Sequence, residues 1–226
     1  MIAISIIIPV LNEAANLAEV LPCLVSRPEI EVIVVDGGSQ DGSPTVAKRY
    51  GGQVIYAALG RSRQMNVGAA NAQGKILLFL HADTCLPDQF QILVEQTLAR
   101  PGVVAGAFDL KINGHQWGLR WVELGVYWRS RLCQLPYGDQ AIFLTAETFR
   151  TVGGFPDLPI MEDFVFVQHL KTLGRVAIAP ASVLTSGRRW QRHGVLKTTI
   201  VNQIIILGYV LKVPIQTLAR WYKRLK

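Results

Sequence analysis

The chain has 226 residues, 50% of them hydrophobic, and carries a formal net charge of +7 at pH 7. This length and composition allow one substantial core, as in a single α/β domain. The three cysteines are an odd number without a C-x-x-C pair, which argues against a disulfide framework and against a cysteine-rich metal site. We therefore expect a reducing, cytoplasmic setting.

The positive charge favours an anionic partner, which can be nucleic acid, a diphosphate substrate or an anionic lipid surface. The cations are neither gathered on one predicted helix nor interleaved with an aromatic sheet, so we expect no nucleic acid partner. The N-terminal segment has no basic n-region and reaches Pro9, Asn12 and Glu13 quickly, which is typical of a first strand rather than a signal peptide.

The first hundred residues alternate apolar, β-rich runs with segments of helical spacing. Strands are predicted at 4–10, 31–36, 53–56 and 75–80, and helices at 13–26, 41–50 and 62–72. This order predicts an α/β fold in which a mostly parallel sheet has helices on both faces and right-handed crossovers.

Beyond Pro87 the alternation is less regular. Helices are predicted at 88–100, at 115–133 as one or two pieces, at 146–152 and at 162–173, the last ending at Gly174 as a C′ glycine. Further strands are predicted at 103–111, 141–145, 176–179 and 183–185.

The C-terminal region combines an uncharged run at 198–211 with a basic end that includes Lys212, Lys223 and Arg224. The run spans only about 21 Å as a helix, less than the roughly 30 Å of a hydrocarbon core, so no transmembrane helix is predicted. We divide the chain into a domain at 1–190 and an amphipathic helical extension at 191–226. This extension either packs on the domain or a dimer partner, or lies on a membrane surface with Trp221 and Tyr222 at the headgroup level.

Polar residues follow the ends of three predicted strands. Glu13 follows the first, Asp36 and Ser39 the second, and Asp83 lies in the HADT segment after the strand at 75–80. Because polar loops that leave adjacent parallel strands meet at one edge of the sheet, the first three converge near one ligand. Asp83 can hold a cation against a phosphate, whereas Asp41 is expected to cap a helix.

The chain resembles family 2 glycosyltransferases of the GT-A fold in four segments of matching order and spacing: SIIIPVLNEAANL, EVIVVDGGSQDGS, GRSRQMNVGAANAQGKILLFLHADT and GGFPDLPIMEDFVF. The match covers roughly residues 3–190. HADT, PYGDQAIFL and TSGRRWQRHG resemble, more narrowly, the small branch of transferases associated with radical-SAM or selenium-domain proteins, which is also linked to arsenosugar biosynthesis. The resemblance implies an inverting enzyme that moves a sugar from a nucleotide-diphosphate sugar donor to a hydroxyl acceptor.

The resemblance also implies roles for single residues. The nucleobase and ribose of the donor would contact Pro9, Glu13 and Asp36, with Ser39 beside them. Arg63 falls where the family has a basic residue near the nucleotide and donor sugar, with Arg61 as a close rival. In this fold family a late basic loop closes over the diphosphate, which implicates Arg188 and Arg189, although a solvated basic face is the alternative.

Asp83 matches the last acid of the family's Asp-x-Asp motif, which binds a divalent cation, Mn²⁺ or Mg²⁺, between the two phosphates. The chain departs from the family at two places. Gly37 replaces the acid that commonly follows the nucleotide-binding Asp, and His81 replaces the first acid of Asp-x-Asp. A neutral imidazole suits Mn²⁺ better than Mg²⁺. Direct ligation by His81 remains open beside phosphate hydrogen bonding or packing.

Glu162 and Asp163 open the predicted helix at 162–173. Carboxylates are stabilised at a helix N-terminus by the helix dipole, so capping is one explanation. By motif position Asp163 is similar to the family's catalytic base, with Glu162 as its neighbour, and an inverting transfer needs a base to take the proton of the acceptor hydroxyl. Asp139 either contacts substrate or belongs to a turn.

Several alternatives stay open. The acceptor is a small molecule or a lipid-linked phosphate, and the latter implies a polyprenyl-phosphate glycosyltransferase at the inner face of the membrane. A sugar-nucleotide-binding protein with lost or altered turnover is the non-enzyme alternative, against which Asp83, Glu162 and Asp163 argue. A sugar nucleotidyltransferase would need a Gly-rich phosphate loop after the first strand, which the sequence PVLNE lacks. The oligomeric state also stays open, with a homodimer as one choice.

Overall fold

This computed structural model describes residues 2–25 and 27–225. Within them, one sheet is formed by eight strands: β1 Ile4–Val10, β2 Ile30–Asp36, β3 Gln53–Tyr56, β4 Ile76–Phe79, β5 Thr84–Cys85, β6 Val103–Asn113, β7 Phe143–Thr145 and β8 Arg175–Ser186. The α-helices are α1 Ala14–Val20, α2 Ser43–Arg49, α3 Arg61–Asn71, α4 Phe90–Leu98, α5 Trp117–Leu132, α6 Ala146–Val152, α7 Glu162–Leu173, α8 Arg188–His193, α9 Val195–Val210 and α10 Ile215–Leu225. Short 3₁₀ turns occupy Leu21–Cys23 and Gly138–Gln140.

The strands lie in the order β3-β2-β1-β4-β7-β6-β8-β5. β1 is parallel to β2 and β4, and β2 is parallel to β3, because helical crossovers return the chain in the same direction. β7 is antiparallel to β4 and β6, whereas β6 and β8 form a long parallel pair. The predicted α/β fold with a mostly parallel sheet is confirmed. Since β2 lies on one side of β1 and β4 on the other, the loops that leave β1 and β4 flank a topological switch point, where open α/β sheets bind ligands.

Apolar layers cover both faces of the sheet. In one layer, Ile6 and every second residue of β1 pack against α1, α2, α4 and α5. The other takes Ile7 and packs it with α3, α6 and α7. In this second layer Phe155 and Phe166 stack with their ring centroids 4.0 Å apart, and Phe79 meets Phe155 edge-on at 4.8 Å. The aromatic contacts therefore attach α7 to the end of β4.

Several predicted boundaries are wrong. The two short strands at 176–179 and 183–185 are one continuous strand, β8, because it pairs with β6 along its whole length through two register shifts. The helix predicted at 13–26 leaves α-geometry after Val20 and tightens into a turn that contains Pro22, which has no backbone N–H to continue the helix. Its predicted end, Ser26, lies outside the described residues. The strand at 141–145 begins only at Phe143, and β5, with two residues, was missed.

Gly174 ends α7 as predicted, but not as a left-handed C′ glycine. Its φ of 166° is extended backbone that any residue can adopt. Space explains the glycine instead, because a Cβ at this position would lie 2.5 Å from Val104 Cγ1.

The last three helices lie along one flank of the sheet. The start of α9 packs on α5, since a Cβ built on Gly118 would lie 3.3 Å from Val195 Cγ1. Its end packs on α7, where the rings of Tyr209 and Phe164 meet edge-on at 5.1 Å. α10 folds back on α9. In the part of the chain that the structure describes, no helix is long and apolar enough to cross a membrane.

Candidate active site

Asp36 ends β2 with only 2% of its surface exposed. Its Oδ2 accepts hydrogen bonds from the backbone N–H groups of Gly38 and Ser39, both at 3.0 Å. Oδ1 is buried and has no hydrogen-bond partner among the described residues. Because an unsatisfied buried oxygen is costly, Asp36 is suited to accept a hydrogen bond from a ligand.

The loop after β1 is fastened to the loop after β2. Ser39 Oγ accepts the N–H of Asn12 at 2.8 Å, and Asn12 Oδ1 accepts the N–H of Gln40 at the same distance. Asp41 accepts hydrogen bonds from the N–H and the hydroxyl of Ser43, the first residue of α2, and from the N–H of Ala14, the first residue of α1. It thereby satisfies a free N–H at the start of each helix, although Gly42 and not Asp41 occupies the N-cap position of α2. These contacts hold both loops in one arrangement beside the carboxylate that ends β2.

Gly37 occupies the position where the family resemblance places an acid. A Cβ at this residue would lie 3.1 Å from the side-chain amide of Gln64. Gln64 is buried, and its Nε2 donates to the carbonyl oxygens of Val10 and Val35, both at 2.8 Å. The buried amide therefore takes the space that a side chain at position 37 would need.

Arg188 connects the loop after β1 to the loop after β4. Its Nη2 lies 3.2 Å from Glu13 Oε2 and 3.4 Å from Asp83 Oδ2. Glu13 also accepts a hydrogen bond from the side-chain amide of Asn16. Two carboxylates from separate motifs thus meet one cation at the switch point. With 57% of its side chain exposed, Arg188 forms ion pairs that cost little to exchange for others.

A small pocket lies at the ends of β1 and β4, and its lining includes Pro9, Arg61, His81, Gly138 and Asp163. Burial, together with the neighbouring charge of Arg61, lowers the pKa of His81 to about 3, so the imidazole is neutral at physiological pH. A Cβ on Gly138 would lie 3.1 Å from His81 Nε2 and 3.3 Å from Asp163 Oδ2. A side chain at position 138 would therefore crowd both the imidazole and the carboxylate.

Asp163 is the second residue of α7 and is held by two backbone donors. Its Oδ2 accepts the N–H of Gly138 and its Oδ1 accepts the N–H of Phe164, each at 2.7 Å. The second bond satisfies one of the free N–H groups at the helix start, as the capping interpretation requires. The first reaches across the pocket and fixes the direction of the carboxylate. Asp163 therefore binds a free N–H group at the start of α7 and also lines the pocket.

Two further carboxyls surround Asp163. Glu162 is buried, with Oε1 3.5 Å from Arg61 Nη1. Burial raises the pKa of Glu162, the charge of Asp163 raises it further, and Arg61 opposes both. Burial also raises the pKa of Asp139, which feels the charges of Arg129 and Asp163, and its Oδ1 has no partner in the described part of the chain. Asp139 thus belongs to the same cluster.

The two candidate arginines of α3 have different neighbours. Arg63 forms a bidentate pair with Asp157, with Nε–Oδ1 at 3.0 Å and Nη2–Oδ2 at 2.8 Å, and both side chains are more than half exposed. Arg61 lines the pocket. The residues are two positions apart, about 200° around the helix axis, so they cannot face the same site.

The two candidate arginines of α8 also separate. Arg188 lies at the switch point, whereas Arg189 donates to Asn202 Oδ1 at 2.8 Å and lies 5.2 Å from the centre of the Tyr222 ring. Arg189 therefore connects α8 to α9 and α10.

The described residues contain no group of three or more His, Cys, Asp and Glu side chains arranged to hold a metal ion. The two predicted ligands have different neighbours, since Asp83 lies with Arg188 and His81 lies with Gly138. One carboxylate suits a hard cation that takes its other ligands from substrate phosphates and water, as Mg²⁺ does in nucleotide sites. The donor set thus fits a cation that arrives with a diphosphate.

Comparison with known proteins agrees with this topology. The profile described as Glycosyl transferase family 2 matches residues 5–143. Glycosyltransferase AglE of Haloferax volcanii is 36% identical over 99 residues, which cover 38% of this chain and 32% of AglE. An undecaprenyl-phosphate 4-deoxy-4-formamido-L-arabinose transferase of Pseudomonas fluorescens is 29% identical over 151 residues, which cover 60% of this chain and 44% of that protein. The chain therefore spans less than half the length of these curated relatives.

Solved structures share the fold. A mannosyltransferase, PcManGT from Pyrobaculum calidifontis in complex with GDP-Man and Mn²⁺, has a TM-score of 0.70 at 19% identity, covering 98% of this chain and 69% of its own. S. aureus TarS 1–349 in complex with UDP-GlcNAc has a TM-score of 0.64 at 17% identity, covering 82% of this chain and 58% of its own. At such identities the likeness shows the GT-A fold alone. Because the family profile covers more than half of the residues, the chain belongs to glycosyl transferase family 2.

Proposed function

We propose that the protein is an inverting, metal-assisted glycosyltransferase that moves a sugar from a nucleotide-diphosphate sugar to a hydroxyl acceptor. The observation that carries the proposal is the position of Asp163. Its carboxylate lines a pocket together with Pro9, near the end of β1, and His81, which follows β4. β1 and β4 are the two strands at the switch point. Asp163 as a base in this pocket would therefore lie beside the edge of the sheet where we expect the donor to bind.

The nucleotide end of the donor would lie against Pro9, Glu13, Asp36 and Ser39. Asp36 supports this assignment, because its unpartnered Oδ1 can accept hydrogen bonds from the hydroxyl groups of a ribose. The GDP-Man in the complex of PcManGT and the UDP-GlcNAc in the complex of TarS are nucleotide sugars of this class. Arg63 is exposed and paired with Asp157, so we assign the cationic position beside the donor to Arg61, which lines the pocket.

Asp83 would hold the divalent cation, Mn²⁺ or Mg²⁺, with the neutral His81 nearby. PcManGT, whose structure contains Mn²⁺ together with GDP-Man, supports a cation of this kind. When bound, a divalent cation supplies positive charge to the diphosphate as it departs. Arg188 can leave its exposed pairs with Glu13 and Asp83 and bind the same diphosphate, whereas Arg189 would hold α8 in place.

The transfer follows from the position of Asp163. The acceptor oxygen forms a bond to the anomeric carbon while the bond to the diphosphate oxygen breaks and its electron pair leaves with the diphosphate. The acceptor proton moves to the carboxylate of Asp163. Burial and the charge of Asp163 raise the pKa of Glu162, and Arg61, 3.5 Å from its Oε1, opposes both effects and supplies positive charge beside the two carboxyls.

The test is Asp163→Asn with Glu147→Gln as its matched control. Glu147 is also a carboxylate in the first turn of a helix, but it is exposed and lies on α6, away from the pocket. We expect Asp163→Asn to bind nucleotide sugars within about threefold of the original protein and to lose transfer by about 10²- to 10⁴-fold. Glu147→Gln should keep both activities. Unchanged turnover in Asp163→Asn would remove this residue from the mechanism.

A polyprenyl phosphate is the second candidate acceptor, which would place the enzyme at the inner face of the membrane. The undecaprenyl-phosphate transferase of Pseudomonas fluorescens supports it by relationship. A groove of about 570 Å³ supports it by shape, since it is lined by Phe164, Tyr209, Val210, Val213 and Ile215 with Lys212 among them. A phosphate oxygen needs no base, so Asp163→Asn should then lose much less activity than with a hydroxyl acceptor.

Two further points remain proposals. HADT, PYGDQAIFL and TSGRRWQRHG support the narrower branch of radical-SAM- or selenium-domain-associated transferases, which favours a small-molecule acceptor and a cytoplasmic location. The odd number of cysteines, without a C-x-x-C pair, favours the same location. A sugar-nucleotide-binding protein without turnover is the competing function, and hydrolysis of a nucleotide sugar by the purified protein with Mn²⁺ would exclude it.

A further inference from the structure

Helix α5 is apolar on two opposite sides. Its inner side packs Leu119 and Val126 into the core of the domain. The outer side exposes large apolar residues four or three positions apart, with exposed fractions from 45% to 79%: Trp117, Trp121, Leu124, Trp128 and Leu132. Such spacing places them in one stripe along the helix. A contiguous exposed apolar stripe of this kind marks a surface that binds a protein partner or a membrane.

Helix α9 carries a second stripe. Its inner side packs Val201 and Ile205, while its outer side exposes Leu196, Ile200 and Leu207, with Leu211 directly after the helix. The two stripes begin side by side, because the start of α5 packs on the start of α9. Together these two sets of exposed residues form what we call the α5–α9 face.

The C-terminal segment that carries α9 is strongly basic. Residues 164–226 contain eleven of the 23 Lys and Arg residues and none of the sixteen Asp and Glu residues. Five exposed cations lie just before, within or after α9 along the chain: Arg192, Lys197, Lys212, Lys223 and Arg224. The net positive charge of the protein therefore lies entirely in the segment that supplies half of the apolar face.

We propose that the α5–α9 face docks on an anionic lipid bilayer and lies in its interface. Tryptophan prefers the membrane–water interface, and cations beside an apolar face bind anionic headgroups. A second copy of the chain fits less well, because a symmetric dimer through this face would bring two acid-free basic segments together. Docking in the plane also agrees with helix lengths, since α9 has 16 residues and would span only about 24 Å.

The docked bilayer would lie close to the cleft. α9 follows α8, which carries Arg188 at the switch point, and its end packs on Phe164, the residue after Asp163. The proposal goes beyond the glycosyltransferase function and does not depend on which acceptor is used.

The experiment is co-sedimentation of the full chain with vesicles of phosphatidylcholine alone or with about one-third phosphatidylglycerol. The test variant is Trp121→Ser/Trp128→Ser. The control is Ile92→Ser, which removes an equally exposed apolar side chain from α4 beside the exposed Glu95. A charge variant, Lys223→Glu/Arg224→Glu, tests the basic component. Nucleotide-sugar binding and thermal unfolding show that each variant is folded.

We expect binding to anionic vesicles, little binding to neutral ones, and a blue shift of tryptophan emission. The double tryptophan variant should bind more than about tenfold more weakly, the charge variant should bind more weakly at low salt, and Ile92→Ser should bind normally. Absence of wild-type binding would overturn the proposal, and so would normal binding by Trp121→Ser/Trp128→Ser. A dimer that the same variant dissociates, with no vesicle binding, would instead assign the face to a second copy and also overturn it.

Discussion

Gly37→Ala tests why a glycine, rather than an acid, follows the carboxylate that ends β2. The new Cβ would lie 3.1 Å from three atoms of the Gln64 amide, closer than normal packing allows. The amide cannot move freely, because it is buried and donates two hydrogen bonds at 2.8 Å, to Val10 and Val35. Gly37 has no positive φ, so the strain arises only from this contact.

The expected cost follows from those two bonds. Each is worth about 1 kcal/mol, so weakening both costs about 2 kcal/mol. Replacing glycine by alanine also restricts the unfolded chain and returns about 0.4–1 kcal/mol. The net decrease in the free energy of unfolding is therefore about 1–1.6 kcal/mol, which urea denaturation can measure.

Gln64→Ala provides the matched background. Without the amide, Gly37→Ala meets no clash and should be neutral or stabilising by up to about 1 kcal/mol. The double-mutant cycle should then give a coupling energy near 2 kcal/mol. Equal effects of Gly37→Ala in both backgrounds, or no cost in the original protein, would refute this explanation of the glycine.

Asp36→Asn should weaken nucleotide-sugar binding by about tenfold or more, because a hydrogen bond to a charged oxygen is lost; calorimetry that finds unchanged affinity for a panel of nucleotide sugars would contradict the assignment. The raised pKa of Glu162 favours the folded state below its unfolded value of 4.5, and this contribution is lost as pH rises through the folded value. Glu162→Gln should therefore reduce the fall in the free energy of unfolding that the original protein shows as pH rises above 4.5. Identical pH profiles of unfolding free energy for the variant and the original protein would refute this prediction. Gly106→Ala should destabilise by about 1–3 kcal/mol, since its Cβ would lie 2.4 Å from the Phe143 ring. Gly125→Ala, with open space around it on α5, should instead stabilise by up to about 1 kcal/mol in the same thermal melt.

Local patterns were enough to predict the parallel half of the sheet. β1 has the bounds that the apolar run at 4–10 predicts, because a strand buried on both faces appears as an uninterrupted apolar segment. β3 also has its predicted bounds, 53–56, although it is a partly exposed strand at the edge of the sheet. The motifs at the strand ends could be recognised in the sequence because polar residues and glycines interrupt the apolar runs there. The bond from the Ser43 N–H to Asp41 is also local, since the two residues are two positions apart, whereas the bond from the Ala14 N–H to Asp41 joins residues 27 positions apart.

Contacts between distant segments could not be predicted in this way. The length of β8 depends on its pairing with β6, and the glycines at 37 and 174 depend on Gln64 and Val104, which lie far along the chain. The meeting of Glu13 and Asp83 at Arg188 joins residues up to 175 positions apart.

The sequence by itself therefore determined the fold class, the family resemblance and the strand ends at which chemistry was expected, because periodicity and turn residues act over short distances. Only the tertiary structure decided which arginine of each pair reaches the cleft. It also decided that His81 lies with Gly138 while Asp83 lies with Arg188, and that the exposed apolar stripes of α5 and α9 begin side by side. Those outcomes depend on the direction in which each side chain leaves its helix or loop and on the segment that packs against it.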